Sequence, residues 1–123
     1  RYVHGGRAEG VPAYRMAISV VGNWLARLMY RLPVRDCTNG FQAIRVDLLE
    51  QMPLEETGFA IIMEELYYAK HLSSSFAEVP YTLTARTELL KKSSFYYRPT
   101  TFYHYLKYPV KSLLGIPPRK TRR

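Results

Sequence analysis

Apolar residues recur every three or four positions between residues 12 and 32, a spacing that is typical of an amphipathic helix. Pro12 suits a first helical turn and Pro33 cannot continue a helix, so we expect the helix to run from Pro12 to about Leu32. One of its faces should be buried. The apolar positions of this helix are Met16, Val20, Val21, Trp24, Leu25, Leu28, Met29 and Leu32.

The same spacing returns between Phe59 and Leu72 and predicts a second helix there. Glu64 and Glu65 are adjacent in it, so their side chains point about 100° apart. We therefore do not assign them as a catalytic pair, and we expect one of them to be plain surface. The expected core positions of this helix are Phe59, Ile62, Met63, Leu66 and Ala69.

Alternation of apolar and polar residues predicts short extended segments elsewhere in the chain. Phe41–Val46 reads as a strand, and Asp47 suits the N-cap of a short helix over Leu48–Met52. Two further extended segments, Phe76–Val79 and Tyr81–Ala85, flank a proline, which favours an edge strand or a bulge.

The segment TTFYHYLKYPVKSLLGI near the C-terminus is amphipathic, and we expect it to be broken at Pro109. Aromatic residues beside lysines on a short broken helix favour binding to a membrane surface. The alternative is a helix that packs on its own domain and is followed by a basic tail. The apolar side consists of Phe102, Tyr105, Leu106, Val110, Leu113 and Leu114, and the cationic side of Lys107, Lys111 and the terminal RKTRR.

Charge is distributed unevenly along the 123 residues, which are enough for one domain. Residues 1–88 hold nine Lys/Arg and ten Asp/Glu, whereas residues 89–123 hold nine Lys/Arg and no acid. A tail of this kind favours a polyanion or an anionic membrane surface as partner. The single Cys37 excludes an intrachain disulfide. Because the chain begins with Arg1 in what reads as the end of a strand, we expect a fragment that lacks its N-terminal part.

Candidate chemistry lies at the front of the chain, in RYVHGGRAEGVPAYRMAISVVGN. Gly5 and Gly6 belong to a loop whose backbone could fold closely around a bound group. Arg15 and Ser19 follow one helical turn apart, and the planar guanidinium of arginine matches phosphate oxygens. These features predict a pocket for a phosphorylated ligand. The alternative is an ordinary loop followed by a solvated helix face.

Four pieces of the chain, in this order and spacing, resemble the C-terminal half of glycosyltransferase family 2 enzymes, above all the dolichol- or polyprenyl-phosphate sugar synthases. They are RYVHGG, LPVRDCTNGFQAIR, GFAIIMEELYYA and the pair EVPYTLTART and KKSSF. The resemblance implies a GT-A fold, a Rossmann-like α/β sandwich. Residues 1–97 would form the acceptor-side half of the catalytic domain, and residues 98–123 a membrane-interface helix with a basic tail. Mg²⁺ or Mn²⁺ would be bound by the absent N-terminal half, and no metal ligand is assigned in this chain.

The resemblance also implies roles for individual residues. Those matching the lipid-phosphate site are Arg1, Arg15 and Ser19, and those matching the mobile acceptor loop are Gly5 and Gly6. Those matching the donor-diphosphate site and the loop after it are Arg86, Lys91, Lys92 and Ser93. The chain departs from the family pattern at Asn39, where serine is usual, and at Gln42, where a basic residue is usual.

The implied activity is transfer of a sugar from a nucleotide sugar of the GDP-mannose or UDP-glucose type to a polyprenyl or dolichyl phosphate, with inversion. A phosphate monoester is largely a dianion at neutral pH and can attack without a general base. Asp36 would be a catalytic base only if the acceptor were a hydroxyl, which is the alternative within family 2. The fragment alone should be inactive and should sit at the cytoplasmic face of a membrane. A basic membrane-surface or nucleic-acid-binding module is the other alternative, but nucleic acid is disfavoured because the excess charge is confined to the tail.

Overall fold

Helices and a small parallel sheet make up the described part of the chain. The computed structural model describes residues 2–72, 75–84 and 98–119. The elements in chain order are β1 (Arg7–Glu9), α1 (Ala13–Tyr30), α2 (Val46–Leu49), α3 (Ala60–Leu72), β2 (Thr82–Thr84) and α4 (Pro99–Leu113). The prediction of a mixed helix and strand architecture is confirmed at this level.

The two strands are far apart in sequence but pair in parallel. Arg7 is opposite Thr82 and Glu9 is opposite Thr84. A parallel pair requires a long crossover connection, and here it comprises α1, α2 and α3. The sheet therefore ties the glycine-containing front of the chain to the segment that follows α3.

Helix α1 has the limits expected from its sequence. Pro12 precedes it in an extended conformation, and Arg31, in the left-handed region with φ 54°, ends it. The Arg31 N–H donates to the Arg27 carbonyl at 2.9 Å. The helix thus ends at a left-handed residue two positions before Pro33.

The predicted buried face of α1 is largely wrong. Trp24 is 62% exposed, and the residues of α1 that are buried are Asn23, Ala26 and Tyr30. Apolar positions extend around more of this helix than the rest of the described chain covers. The large apolar residues left exposed are Tyr14, Ile18, Val20, Val21, Trp24, Leu25 and Leu28.

The predicted strand Phe41–Val46 is also wrong, because no strand forms there and Val46 already belongs to α2. Asn39 Oδ1 accepts the Phe41 N–H at 3.1 Å, which makes a local turn instead. Asp47 is not an N-cap. It lies in the first turn of α2, and Arg45 donates to both of its carboxylate oxygens, at 3.0 and 2.8 Å.

The core lies between α1, α3 and α4. Helix α3 confirms the predicted second helix, and its Met63 is fully buried. The hydroxyl of Tyr30 in α1 donates to the Met63 carbonyl at 2.6 Å and joins the two helices. Phe59 lies just outside α3 and is 37% exposed, so it is not a core residue as predicted. The other buried apolar residues of this core are Ala26, Leu32, Val34, Cys37, Met52, Ile62, Tyr67, Tyr68 and Tyr108.

Helix α4 continues through Pro109, so the predicted break is wrong. Contacts on both sides of the proline hold the helix to α3: Tyr108 donates to Glu64 at 2.6 Å, and Lys70 donates to Ser112 at 2.8 Å. Pro109 itself is buried. These contacts offset the backbone hydrogen bond that a proline cannot make.

Glu64 is the buried carboxylate of α3, only 1% exposed. One of its oxygens accepts the N–H groups of Glu55 and Glu56, at 2.9 and 2.8 Å. The other accepts the Tyr108 hydroxyl at 2.6 Å. Glu64 therefore joins the loop before α3 to α4.

Glu56 adds an acid-sensitive link to α4. Its carboxylate accepts from Lys107 Nζ at 2.9 Å and contacts His104 Nδ1 at 3.0 Å. Burial alone would raise the pKa of Glu56, but Lys107 and His104 outweigh it and the pKa lies below its ordinary value. A lowered pKa means that this contribution to stability is present above the ordinary carboxyl range and is lost as the pH falls through the folded-state pKa.

We therefore expect Glu56→Gln to lower Tm at pH 7, and the difference from the unmodified chain to shrink below about pH 4.3, the usual pKa of Glu. Thermal unfolding by circular dichroism between pH 7 and pH 3 measures it. Glu55→Gln is the matched control, because the Glu55 carboxylate is exposed and pairs with the exposed Arg119 at 3.2 Å. A pH-independent difference for Glu56→Gln would contradict this assignment.

Candidate functional site

The candidate phosphate-binding residues lie on one face of α1. Arg15 and Ser19 are one turn apart and each is half-buried. The Tyr2 hydroxyl donates to Ser19 Oγ at 2.9 Å. The Ser19 hydroxyl can therefore donate its own hydrogen bond to an anion. Arg15 Nε donates to the Tyr14 hydroxyl at 3.1 Å. The guanidinium is thus held near the start of the helix.

The start of α1 also favours an anion. Its first turn contains no acidic residue, and within the described ranges no side chain caps it. The N–H groups of a first helical turn carry partial positive charge. Arg15, the third residue of the helix, adds a full charge at this end.

The glycine loop leads directly into the sheet. Gly6 N–H donates to the Val3 carbonyl at 2.9 Å, which closes a turn. Gly5 has φ 86°, a conformation that L side chains rarely adopt, and a Cβ there would lie 3.5 Å from Pro80. The turn therefore depends on the backbone conformation of Gly5, and it packs against Pro80 in the segment before β2. Mobility of Gly5 and Gly6 remains a prediction.

The Asp36 loop, which we define as residues 35–38, is held by side chains from two distant elements. Buried Asn23 of α1 donates to the Arg35 carbonyl, and its Oδ1 accepts the Cys37 N–H at 2.6 Å. From the opposite direction, Glu78 Oε1 accepts the N–H groups of Arg35 and Asp36, at 2.7 and 3.1 Å. The backbone of this loop is thereby fixed to both α1 and the segment before β2.

Asp36 itself is half-buried, and its Oδ1 lies 3.5 Å from the Thr38 hydroxyl. This contact within the loop accords with an organising role for Asp36.

A separate cavity of about 490 Å³ lies between the segment after the Asp36 loop and α3. Gln42 Nε2 donates to Glu65 Oε2 at its edge. Burial, aided by the charge of Glu64, raises the pKa of Glu65 despite the bond from Gln42. Arg15 and Ser19 are not among the residues that line it, which are Gly40, Gln42, Ile44, Leu49, Gly58, Phe59, Ile61, Ile62 and Glu65.

Several predicted site residues lie outside the part of the chain that the structure describes. They are Arg1, Arg86, Lys91, Lys92 and Ser93. The donor-diphosphate site and the first member of the phosphate-binding set therefore remain predictions.

Sequence reasoning missed Tyr2, Asn23, Glu64 and Glu78 as residues that hold the site or the core. The sequence does point to Asn23, since it continues the four-residue spacing of Arg15 and Ser19 and so shares their helix face. Glu64 also follows a recognisable spacing, because it lies four residues from both Ala60 and Tyr68 and so shares one face of α3 with them. Both neighbours are buried. For Tyr2 and Glu78 the sequence carries no such spacing.

No three His, Cys, Asp or Glu side chains in the described ranges lie close enough to hold a metal ion. None of the described helices combines the length and apolar character needed to span a bilayer.

Three curated proteins are similar to this chain. A dolichol-phosphate mannosyltransferase of Pyrococcus furiosus is 38% identical over 90 residues, 70% of this chain and 24% of the relative. A polyprenol monophosphomannose synthase of Mycolicibacterium smegmatis is 30% identical over 97 residues, 76% of this chain and 37% of the relative. An undecaprenyl-phosphate mannosyltransferase of Micrococcus luteus is 32% identical over 89 residues, 70% of this chain and 37% of the relative.

This chain is a relative of the polyprenyl-phosphate mannosyltransferases. The resemblance predicted from its sequence pieces is thereby confirmed. The match spans 24–37% of the length of these relatives. No family model matches the chain, and no solved structure matches it.

Proposed function

We propose that the protein containing this chain transfers a mannosyl group from a nucleotide sugar to a polyprenyl phosphate, and that this chain supplies the acceptor side of the site. The observation that carries the proposal is the similarity to three relatives over 70–76% of the chain. Each relative is named for transfer of mannose to a dolichol, polyprenol or undecaprenyl phosphate. The donor is of the GDP-mannose type.

Arg15 and Ser19 would hold the acceptor phosphate. The guanidinium can donate two parallel hydrogen bonds to phosphate oxygens, and the Ser19 hydroxyl, oriented by Tyr2 at 2.9 Å, can donate a third. Arg1 would complete the set. The partial positive charge at the start of α1 favours the same dianion.

The reaction needs positioning and charge neutralisation rather than proton removal. A phosphate oxygen of the acceptor forms a bond to the anomeric carbon, and the bond from that carbon to the nucleoside diphosphate breaks. Attack from the side opposite the leaving group inverts the configuration. Asp36 is then a loop residue, whereas a hydroxyl acceptor would require it as a base.

Arg86, Lys91, Lys92 and Ser93 would contact the donor diphosphate. Mg²⁺ or Mn²⁺ would neutralise charge on that diphosphate, but the described residues offer no ligand set for it, so no residue here is assigned to it. The fold of the whole catalytic domain would be GT-A, with residues 1–97 as its acceptor-side half.

The protein would work at the cytoplasmic face of a membrane. Both α1 and α4 expose large apolar side chains, among them Trp24 at 62% and Leu113 at 49%. Lys111 lies two residues before Leu113 on α4, and a lysine beside exposed apolar residues favours the interface of an anionic bilayer. A polyprenyl phosphate presents its head group at that interface.

The test uses the protein that contains this chain, polyprenyl phosphate in detergent, and labelled GDP-mannose or UDP-glucose with Mg²⁺. We expect labelled mannose in the lipid fraction from GDP-mannose, with one nucleoside diphosphate released per sugar. Replacing the lipid phosphate by the corresponding alcohol should abolish the product. Equal transfer to the alcohol would instead support the hydroxyl-acceptor alternative.

A further inference from the structure

Asn23 occupies a particular place on α1. It follows Arg15 and Ser19 at intervals of four residues, so all three side chains share one face of the helix. Arg15 and Ser19 are half-buried, whereas Asn23 is 5% exposed and faces the Asp36 loop. One helix face therefore carries both the candidate phosphate ligands and a contact to the neighbouring loop.

The Asn23 amide fits the loop in a single orientation. Its Nδ2 donates to the Arg35 carbonyl and its Oδ1 accepts the Cys37 N–H at 2.6 Å. Rotating the amide by 180° would place donor against donor and acceptor against acceptor. The carboxamide thus fixes both the position and the direction of the loop relative to α1.

Glu78 completes the restraint from the other side. Its Oε1 accepts the N–H groups of Arg35 and Asp36. Together, Asn23 and Glu78 accept the N–H groups of Arg35, Asp36 and Cys37. Asn23 also donates to the Arg35 carbonyl. Cys37, fully buried in the core, anchors the middle of the loop.

We infer that Asn23 and Glu78 are positioning residues that couple the phosphate-binding face of α1 to the Asp36 loop. The inference rests on the proposed function, because it takes Arg15 and Ser19 as the acceptor site. Phosphate binding at the start of α1 holds the helix, and Asn23 transmits that restraint to the loop. The backbone that carries Asp36 is then kept at a fixed place relative to the acceptor phosphate.

Cys37 provides a direct probe of this coupling, since it is the chain's single cysteine. Burial raises the pKa of its thiol to about 12, with the neighbouring charges of Asp36 and Glu78 adding to the effect. A thiol reagent at pH 8 therefore reacts when the loop opens. The labelling rate measures how often the loop leaves its two restraining side chains.

The experiment measures labelling of Cys37 in the whole chain, with and without farnesyl phosphate as a soluble acceptor mimic. Labelling is followed below the urea unfolding transition, where its rate does not change with urea. At a concentration near 100 Kd, we expect farnesyl phosphate to slow labelling of the unmodified chain by at least about tenfold, within the limit of about 100-fold set by mass action. In Asn23→Ala, basal labelling should be faster and the slowing by ligand should be lost, while the Kd changes by less than about threefold.

Three variants separate coupling from loss of stability. Tyr30→Phe removes a buried hydrogen bond from the same helix to Met63 and leaves the loop contacts intact, so the ligand should still slow labelling. Glu78→Gln keeps an oxygen that accepts both N–H groups and should behave like the unmodified chain. Glu78→Ala removes that oxygen and should behave like Asn23→Ala.

The outcomes distinguish this inference from the proposed function. If farnesyl phosphate binds and slows labelling equally in the unmodified chain and in Asn23→Ala, the coupling role is wrong and the acceptor site stands. If farnesyl phosphate binds the unmodified chain but does not slow Cys37 labelling, the coupling role is likewise wrong and the acceptor site stands. If farnesyl phosphate binds no better than farnesol or inorganic phosphate, the proposed function of this helix face fails.

Discussion

Replacing Arg15 with alanine should weaken binding of farnesyl phosphate to the chain by about 10- to 100-fold. A charged hydrogen-bond donor contributes about 1.5–3 kcal/mol, and each 1.4 kcal/mol is about tenfold in affinity. The Kd of Arg15→Lys should lie between those of the unmodified chain and Arg15→Ala, because lysine keeps the charge but lacks the planar guanidinium. Isothermal titration calorimetry measures all three Kd values.

Arg27→Ala is the matched control for this experiment. Arg27 is an exposed arginine of the same helix, twelve residues further on and therefore about 120° around the axis from Arg15. Its removal changes the net charge equally and should change the Kd by less than about threefold. Equal losses for the two variants would mean that only net charge attracts the ligand, and would remove Arg15 from the site.

The same substitution has a kinetic consequence in the protein that contains this chain. Arg15→Ala should raise KM for the polyprenyl phosphate or lower kcat, with KM for the nucleotide sugar nearly unchanged. The reason is that Arg15 would contact the acceptor and not the donor. An equal rise in both KM values would count against the assignment.

The candidate site shows which spatial relations a sequence can predict. Arg15 and Ser19 could be placed on one face in advance, because four residues make about one turn of any α-helix. Asn23 obeys the same spacing, but its role depends on the backbone of residues 35–37, which reaches it only through tertiary folding. Spacing predicts that side chains share a face and does not predict what meets that face.

Burial was the least predictable property for the same reason. The periodicity of α1 gave its limits, yet Trp24 is exposed and Asn23 is buried. An isolated helix with apolar residues around much of its circumference does not specify which side meets the core. Strand pairing is similar, since the partner of Arg7 is Thr82, 75 positions away. Tyr81–Ala85 is predicted to be extended, but nothing in its own sequence identifies Arg7–Glu9 as its partner.

Departures from local rules occur where distant contacts compensate. Pro109 should end a helix, but α4 continues because Tyr108 and Ser112 are held by α3. A glutamate among buried residues of α3 should be unfavourable, yet Glu64 is buried because its partners come from a loop and from another helix. These are the positions at which substitution should have the largest structural effect.

Glu64→Ala should therefore destabilise the chain by about 3–5 kcal/mol, because each buried polar group left without a partner costs about 1–3 kcal/mol. It leaves the N–H groups of Glu55 and Glu56 and the Tyr108 hydroxyl without their acceptor. Tm should fall by about 10–20 °C for a chain of this size. Urea unfolding followed by circular dichroism at 222 nm gives the free energy of unfolding directly.

Glu65→Ala is the neighbouring control and should change the free energy of unfolding by less than about 1 kcal/mol, since Glu65 makes an exposed bond to Gln42. Glu64→Gln should cost about 1–2 kcal/mol. Its carbonyl oxygen can still accept the two N–H groups, and its amide can donate to the Tyr108 hydroxyl once that hydroxyl turns its own proton away. Similar losses for Glu64→Ala and Glu65→Ala would show that the Glu64 carboxylate does not join the loop to α4. A small loss for Glu64→Gln beside a large one for Glu64→Ala would show that hydrogen bonding, more than charge, holds this junction together.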